Sequence, residues 1–413
     1  MSGKSGTSLG INGLGRIGKL TLWHHVARKQ HAEVVVNIGR PVGSSLRDLA
    51  HYIERDSTYG PLHGYLYGHS GRAVISEVND AAGTLRIDGI RVKVLRETRN
   101  PAEIGWAEHD VETVVDTTGA FLDPTLPADA PGGSVRGHLA SGARRVVVSA
   151  PFKIRDKGQA MPHDAVTTVM GVNENDYDPR RHRIVSNASC TTTCLAHMMR
   201  PLIDRFGAER ILTASMSTVH AVTSSQEVLD RAAGPGQTDL RKNRSVFNNI
   251  ILTSTGAAKT LALVIPEMKT IGFIAESVRI PTTTGSLVIL VVNLQESVSG
   301  DWVRREDVNE VYREAAERDR RGYLVYSEEQ NVSSDVIGLP RAAAVIEGHE
   351  THTRSAELSV NIEKFCRLPE GVDSAGDLRL AVTQAVIYGW YDNELGSYVN
   401  MLGDRAVSVS QGL

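Results

Sequence analysis

Three glycines near the start of the chain constrain its fold more than any other feature. Gly13, Gly15 and Gly18 stand in G-x-G-x-x-G spacing within "INGLGRIG". They follow a strand-like "SLGIN" and precede a stretch of helical periodicity marked by Ile17, Leu20, Thr21 and His24. At such a turn the first glycine permits a sharp bend, the second lets the backbone approach a pyrophosphate, and the third lets helix and strand pack closely. Amides at the helix start then face the phosphates. A glycine-rich turn can be merely structural, but in this strand-to-helix context it predicts a dinucleotide site.

The first 150 residues sustain that pattern, with "AEVVVNI", "VETVVDTTG" and "RRVVVSAP" as further strands separated by helical stretches. Alternation of this kind predicts a parallel sheet covered by helices. Beyond residue 190 the strands lengthen, at 210 to 222, 273 to 281 and 285 to 294, and helices become sparse. The expected fold class is therefore α/β, a Rossmann doubly wound parallel sheet, joined to an α+β domain on a mostly antiparallel or mixed sheet. A chain of 413 residues accommodates two such domains. A helix is predicted over 305 to 320, with Gly322 as its stop. Segments 123 to 137 and 366 to 378, rich in Pro, Gly and Asp, read as surface insertions.

A formal charge of −3 gives no general attraction to nucleic acid or acidic membranes, so neither is an expected partner. The longest apolar stretch, 287 to 294, is far short of the roughly 20 residues that span a bilayer, and "MSGKSGTS" lacks a signal-peptide core. Cys190, Cys194 and Cys366 are too few for a disulfide framework, which fits a reducing compartment. A soluble cytoplasmic protein is expected, and any cysteine that matters acts as a thiol.

The second strand of the nucleotide unit usually ends in an acid that holds the adenosine ribose. Here "VVVNIGRPVG" places Ile38 there, followed by Gly39 and Arg40. Arg40 is either a solvated loop charge or, with Ser44 and Ser45, a partner for a 2′-phosphate that no carboxylate repels. The second alternative is preferred, which favours NADP modestly over NAD.

"RIVSNASCTTTCLAHMM" reads as a strand, a small polar turn and a helix beginning near Cys190. A thiol at a helix N-terminus meets the positive end of the dipole, which increases its thiolate fraction. Cys190 is thus a candidate nucleophile, whereas Cys194, one turn later, reads as a small buried packer. A base is needed, and "STVHAVTSSQ" ends a strand at His220 among Thr218, Thr223, Ser224 and Ser225.

"GINGLGRIG", "RDSTYG", "TTGAF", "VVVSAP", "MGVNENDYD", "SNASCTTTCLA", "STVHAVTSSQ", "NNIILTSTGAAK", "VRIPT", "VSSDVIG" and "GWYDNELG" occur in the order seen in phosphorylating glyceraldehyde-3-phosphate dehydrogenases. The chain resembles that family from about residue 8 to 403 and is identified as a long variant with insertions. The resemblance implies a cofactor domain over 1–188, completed by a C-terminal helix at 393–413, and a catalytic domain over 189–392. It makes Cys190 the nucleophile that forms a thiohemiacetal and then a thioester, with His220 as acid and base. Inorganic phosphate would release an acyl phosphate, and no metal is expected.

By the same resemblance Ser189, Thr191, Thr255 and Gly256 would hold the attacking phosphate. Thr223 and Arg279 would hold the phosphate of the aldehyde, and Arg241, Lys242 and Arg244 form the basic end of a loop lining the site. Asn12, Gly13, Gly15, Arg16, Ile17, Arg40, Thr118, Gly119 and Ser149 would lie along the cofactor, and Asn393 would hold the nicotinamide carboxamide. A homotetramer is implied too. Three departures stand out: Ile38, Thr193 where the cysteine helix usually has asparagine, and Ser397 where an aromatic is usual. Alternatives are an erythrose-4-phosphate dehydrogenase, a cysteine hydrolase or acyltransferase, which the glycine fingerprint opposes, and a non-catalytic nucleotide-binding regulator.

Overall fold

The computed structural model describes residues 8–297, 300–361 and 377–412. They belong to two compact units, one of Met1–Thr193, Ile337–Ala343 and Asp392–Leu413, the other of Cys194–Val336 and Ala344–Tyr391. Where the expected boundary ran between 188 and 189, the division falls after Thr193, inside the helix Cys190–Phe206. The short segment 337–343 groups with the first unit because its backbone is tied there. The Gly338 amide donates to the Asp392 carboxylate at 2.9 Å, and the Arg341 amide donates to the Gly396 carbonyl at 2.9 Å.

The first unit is built on one sheet. Its order is Ala165–Thr167, Ile184–Ser186, Arg145–Val148, Val111–Asp116, Ser8–Asn12, Glu33–Asn37, Ile90–Leu95, Thr84–Ile87 and Ile75–Asn79. Neighbours are parallel from the first of these to Ile90–Leu95, and the last two pairings are antiparallel. Both faces are covered, which is why "VVV" runs replace strict alternation. Val34 and Val36 join one core with Leu20, Trp23 and, from the C-terminal helix Asn400–Gln411, Leu402, Ala406 and Val409. Val35 joins another with Trp106 and Val114.

The antiparallel edge between 75 and 95 was not among the strands expected from sequence. Segment 123 to 137, expected as a surface insertion, is partly interior. Asp123 and Ser134 are buried, and a short helix, Val135–Ala140, begins within the segment.

Among the described residues, the second unit is an eight-stranded mixed sheet. Ile251–Thr253, Gly272–Arg279, Ile211–His220, Ser286–Gln295, Asp377–Tyr391, Ala344–Glu347 and Leu324–Ser327 lie side by side in that order, and His352–Asn361 pairs with Asp377–Tyr391. Ser286–Gln295 alternates buried residues with half-buried or exposed ones, as a sheet with one closed face requires. The helix Arg305–Arg318 turns Val308, Val311 and Tyr312 inward. It ends before Gly322, because the Asp319 carboxylate accepts the amides of Arg321, Tyr323 and Leu324 at 3.1, 2.6 and 2.9 Å. Of segment 366 to 378, expected as a surface insertion, residues 366–376 with Cys366 lie outside the described residues, and Asp377 and Leu378 open the strand Asp377–Tyr391.

Candidate active site

In the first unit the chain runs outward from Ser8–Asn12 in one direction and resumes on its other side at Val111–Asp116. Ligands of doubly wound sheets bind beyond the carboxyl ends of strands at such a reversal. The three glycines sit there, each for a separate reason. Gly13 has φ +93°, and a Cβ on it would meet Thr117 and Thr118 at 3.1 Å. A Cβ on Gly18 would lie 2.1 Å from the Gly13 carbonyl oxygen, so only glycine lets the helix Arg16–Arg28 pack there. Gly15 is exposed with open space where a Cβ would point, and no side chain caps the helix it starts.

The floor of this turn is a buried polar network. Asn12 is turned inward; its Nδ2 donates to Asp116 Oδ2 at 2.9 Å and its Oδ1 accepts from Asn37 Nδ2 at 2.9 Å. His138 Nε2 lies 2.9 Å from the same carboxylate, and Trp106 Nε1 donates to His138 Nδ1 at 3.0 Å. Because the indole can only donate, Nδ1 is the acceptor and the neutral His138 carries its proton on Nε2. Asp116 Oδ1 accepts the Thr118 amide at 3.0 Å and hydroxyl at 2.7 Å. Burial opposes the charge, yet His138 and the other donors hold the Asp116 carboxyl below its usual range. The network fixes Thr118 and Gly119, the latter at φ +65°, while the Ser149 amide donates to the Asp116 carbonyl at 2.9 Å.

Arg16 is engaged by two acids. Its guanidinium pairs with Asp56 and with Glu394, Nε donating to the Glu394 carboxylate at 3.0 Å, which leaves the backbone amide as the group it offers at the helix start. Ile17 packs on the core. Ile38, the residue in place of the acid, is half-buried against the same core, and Arg40 is exposed with no ion pair among the described residues. Ser45 is committed to capping Leu46–Glu54, its hydroxyl accepting the Arg47 amide at 3.2 Å.

Cys190 is the first residue of a 17-residue helix with no acid in its first turn. Ser189 precedes it and accepts the Thr192 amide on its hydroxyl at 3.2 Å, so the half-exposed thiol sits at the positive end of the helix. Thr191 and Thr193 are buried, the latter with its hydroxyl lacking a partner. Cys194 is fully buried, its Sγ 3.8 Å from the Gly389 carbonyl. In the first unit, to which Cys190 also belongs, Asn393 is buried beside Asp392, whose carboxylate accepts the Tyr59 hydroxyl at 2.8 Å and the amides of Glu394 and Gly396 at 2.8 Å each. Ser397 is fully buried, its hydroxyl 3.5 Å from the Ala343 carbonyl.

In the second unit, strand register brings His220 and Arg279 together as direct neighbours on parallel strands. His220 Nδ1 lies 2.7 Å from the Ala221 carbonyl, which also receives Arg279 Nη1 at 3.0 Å, and Nη1 touches Nδ1 as well. A proton on Nδ1 satisfies both donors through that one carbonyl and leaves the lone pair on Nε2. Burial and the Arg279 charge lower the His220 pKa to about 3, against the opposing bond to Ala221, so the imidazole is neutral at physiological pH.

Thr223 folds back on its own loop, amide and hydroxyl donating to Gln226 Oε1 at 2.9 and 2.8 Å. Thr255 and Gly256 precede the helix Ala257–Val264, and Gly256 is exposed with nothing near its missing Cβ. The basic cluster is largely neutralised, since Arg241 pairs with Asp239 at 2.9 Å and Arg244 with Asp230 at 3.0 Å. Lys242 has no ion pair among the described residues. No group of His, Cys, Asp or Glu among the described residues forms a metal cage, and no described helix is long and apolar enough to cross a membrane.

Comparison with known proteins decides the family. Residues 7–124 match the glyceraldehyde 3-phosphate dehydrogenase NAD binding domain, and 189–362 match the C-terminal domain of the same family. The chain is 36% identical over 405 residues to glyceraldehyde-3-phosphate dehydrogenase 2 of Streptomyces avermitilis, covering 98% of this chain and 99% of that one. It is 37% identical over 407 residues to the glyceraldehyde-3-phosphate dehydrogenase of Streptomyces coelicolor, with 98% and 99% covered. Against glyceraldehyde-3-phosphate dehydrogenase 1 of Bacillus subtilis the identity is 34% over 404 residues, 98% of each chain. The chain belongs to the glyceraldehyde-3-phosphate dehydrogenase family.

As a glyceraldehyde-3-phosphate dehydrogenase family member it carries a nicotinamide-dinucleotide domain, and the residues present fit that group. The uncapped helix start, the open space at Gly15 and the left-handed Gly13 form a cradle that a side chain would close. Sequence reasoning missed Asp116, His138 and Trp106, which build its floor, and Gln226, which orients Thr223. The aspartate at the end of "VETVVDTTG" was the available signal; His138 and Trp106 come from distant segments and gave none.

Proposed function

We propose that this chain interconverts glyceraldehyde 3-phosphate with phosphate and 1,3-bisphosphoglycerate. The observation that carries the proposal is Cys190 at the first position of an acid-free helix turn. Sγ adds to the aldehyde carbon, and the thiol proton passes to His220, which returns it to the former aldehyde oxygen to make the hydroxyl of the thiohemiacetal. The bound dinucleotide supplies the hydride acceptor. His220 takes the hydroxyl proton of the thiohemiacetal, whose oxidised form is the thioester. A phosphate oxygen then attacks the thioester carbon, the C–S bond breaks, and the acyl phosphate leaves Cys190 as thiolate.

Ser189, Thr191, Thr255 and Gly256 would receive the attacking phosphate. Thr223, Arg279 and Lys242 would hold the phosphate of the aldehyde, Arg279 by a bidentate fork. Asn393 would orient the nicotinamide. NADP is the proposed preferred cofactor, with the exposed Arg40 as partner of its 2′-phosphate. A homotetramer is proposed from the family, supported by the exposed apolar side chains Leu212, Leu252 and Ile274 of the second sheet.

Formation of reduced nicotinamide from glyceraldehyde 3-phosphate, followed by absorbance with and without inorganic phosphate, tests the reaction. Turnover is expected to require phosphate and to fall roughly a thousandfold or more in Cys190→Ser. Phosphate-independent turnover would overturn the assignment, and faster turnover of erythrose 4-phosphate would move it to that aldehyde.

A further inference from the structure

Between the last sheet bond and the first helix bond before Cys190 stands one residue, Ala188. The Asn187 amide still donates to the Val148 carbonyl at 3.0 Å, and the Thr193 amide already donates to the Ser189 carbonyl at 2.8 Å. Ala188 itself has φ +53°, the left-handed region that a residue with a Cβ occupies only when its surroundings hold it there. It is fully buried, so water does not satisfy its backbone.

Side chains do so instead. The Ala188 amide donates to Ser186 Oγ at 3.1 Å, and that hydroxyl donates to the Ala150 carbonyl at 2.8 Å. The Ala188 carbonyl accepts the hydroxyl of Tyr398 at 3.1 Å. Tyr398 is buried and lies in the five-residue π-turn Leu395–Val399, an expanded turn of the kind found at functional sites. The turn is anchored at its start by the Asp392 carboxylate through the amides of Glu394 and Gly396. All of these residues belong to the first unit.

We infer that Tyr398 is a positioning residue for Cys190, its hydroxyl holding Ala188 left-handed and so fixing where the nucleophile's helix begins. The inference rests on the proposed role of Cys190 as nucleophile. Burial, and next the nearby Cys190, raise the Tyr398 phenol above its usual range, so the hydroxyl stays protonated and able to donate. Without it, the buried carbonyl loses its partner and the left-handed conformation loses the group that opposes its strain. The phenol also interacts with the side chain of Asn187, the residue before Ala188, so its polar contacts fall on the turn that leads into Cys190.

The test is alkylation of Cys190 by iodoacetamide across pH, read by mass spectrometry of the Cys190 peptide in the full chain. Tyr398→Phe is expected to slow alkylation at neutral pH by roughly threefold to tenfold and to move its midpoint up by about half a pH unit. In turnover, kcat is expected to fall with KM for the aldehyde held within about twofold. Glycine adopts positive φ freely, so the effect of Tyr398→Phe should shrink to under about twofold when measured in an Ala188→Gly background.

An unchanged alkylation profile in a folded Tyr398→Phe protein would overturn the role, as would equal losses in the Ala188 and Gly backgrounds. Should Tyr398→Phe alone not fold, recovery of a folded, alkylation-competent protein in Ala188→Gly/Tyr398→Phe supports the inference, and failure of that double variant to recover overturns it. Alkylation needs neither aldehyde nor phosphate. A normal midpoint shift in a chain without phosphate-dependent turnover would therefore support the positioning role while overturning the proposed function.

Discussion

Arg40 is the side chain on which the proposed preference for NADP rests. Ile38 is half-buried against the core and offers no charge to a ribose or a phosphate, while Ser45 spends its hydroxyl on a helix cap. That leaves Arg40 as the cation of this loop. Arg40→Ala is expected to weaken NADP about tenfold or more and to leave NAD within about twofold, measured by separate titrations of the two dinucleotides. Equal losses for both would remove Arg40 from the 2′-phosphate. At this scale Cys190 was legible because helix N-termini and small polar turns are local features. Ala188 and Tyr398 were not, since neither a positive φ nor a bond across 210 positions leaves a trace in composition or spacing.

The glycine turn shows elements legible in sequence for reasons that only coordinates separate. Gly18→Ala puts a Cβ 2.1 Å from the Gly13 carbonyl and must push helix from strand, which is expected to destabilise the first unit by about 1–3 kcal/mol. Gly15→Ala meets nothing, so its stability should stay within about 0.5 kcal/mol while dinucleotide affinity falls, because the new methyl occupies the approach to the backbone. Denaturant melts with and without dinucleotide distinguish the two; equal destabilisation by both would defeat this division of labour. Periodicity found the helix at 305 but misplaced its end, because the stop is the Asp319 side chain gathering three amides rather than the glycine beyond it. The antiparallel edge at 75–95 escaped notice since short half-exposed strands carry little hydrophobic signal.

Across the whole molecule, buried imidazoles set a limit on acid stability. His24 is packed between the first and last helices of its unit, where burial and the charges of Arg28 and Arg341 lower its pKa to about 3. His25 beside it is lowered by burial too, with both ring nitrogens buried and unpartnered. Unfolded, such a histidine takes up its proton near pH 6.5. The stability it permits is therefore complete above about pH 6.5 and is lost as pH falls toward 3, at about 1.4 kcal/mol per histidine between pH 7.5 and 5.5. His24→Leu is expected to flatten the pH dependence of the denaturant midpoint over that interval by about one histidine; an unchanged slope would show that His24 finds a compensating partner. By itself the sequence determined the class of fold, the glycine turn and the helix start at Cys190, because each is written in the spacing of neighbouring residues. Only the tertiary structure decided which carboxylate floors the turn, which cations pair with which acids and which hydroxyl meets the Ala188 carbonyl. Those depend on side chains far apart in sequence competing for the same buried partners, and that competition is settled by packing.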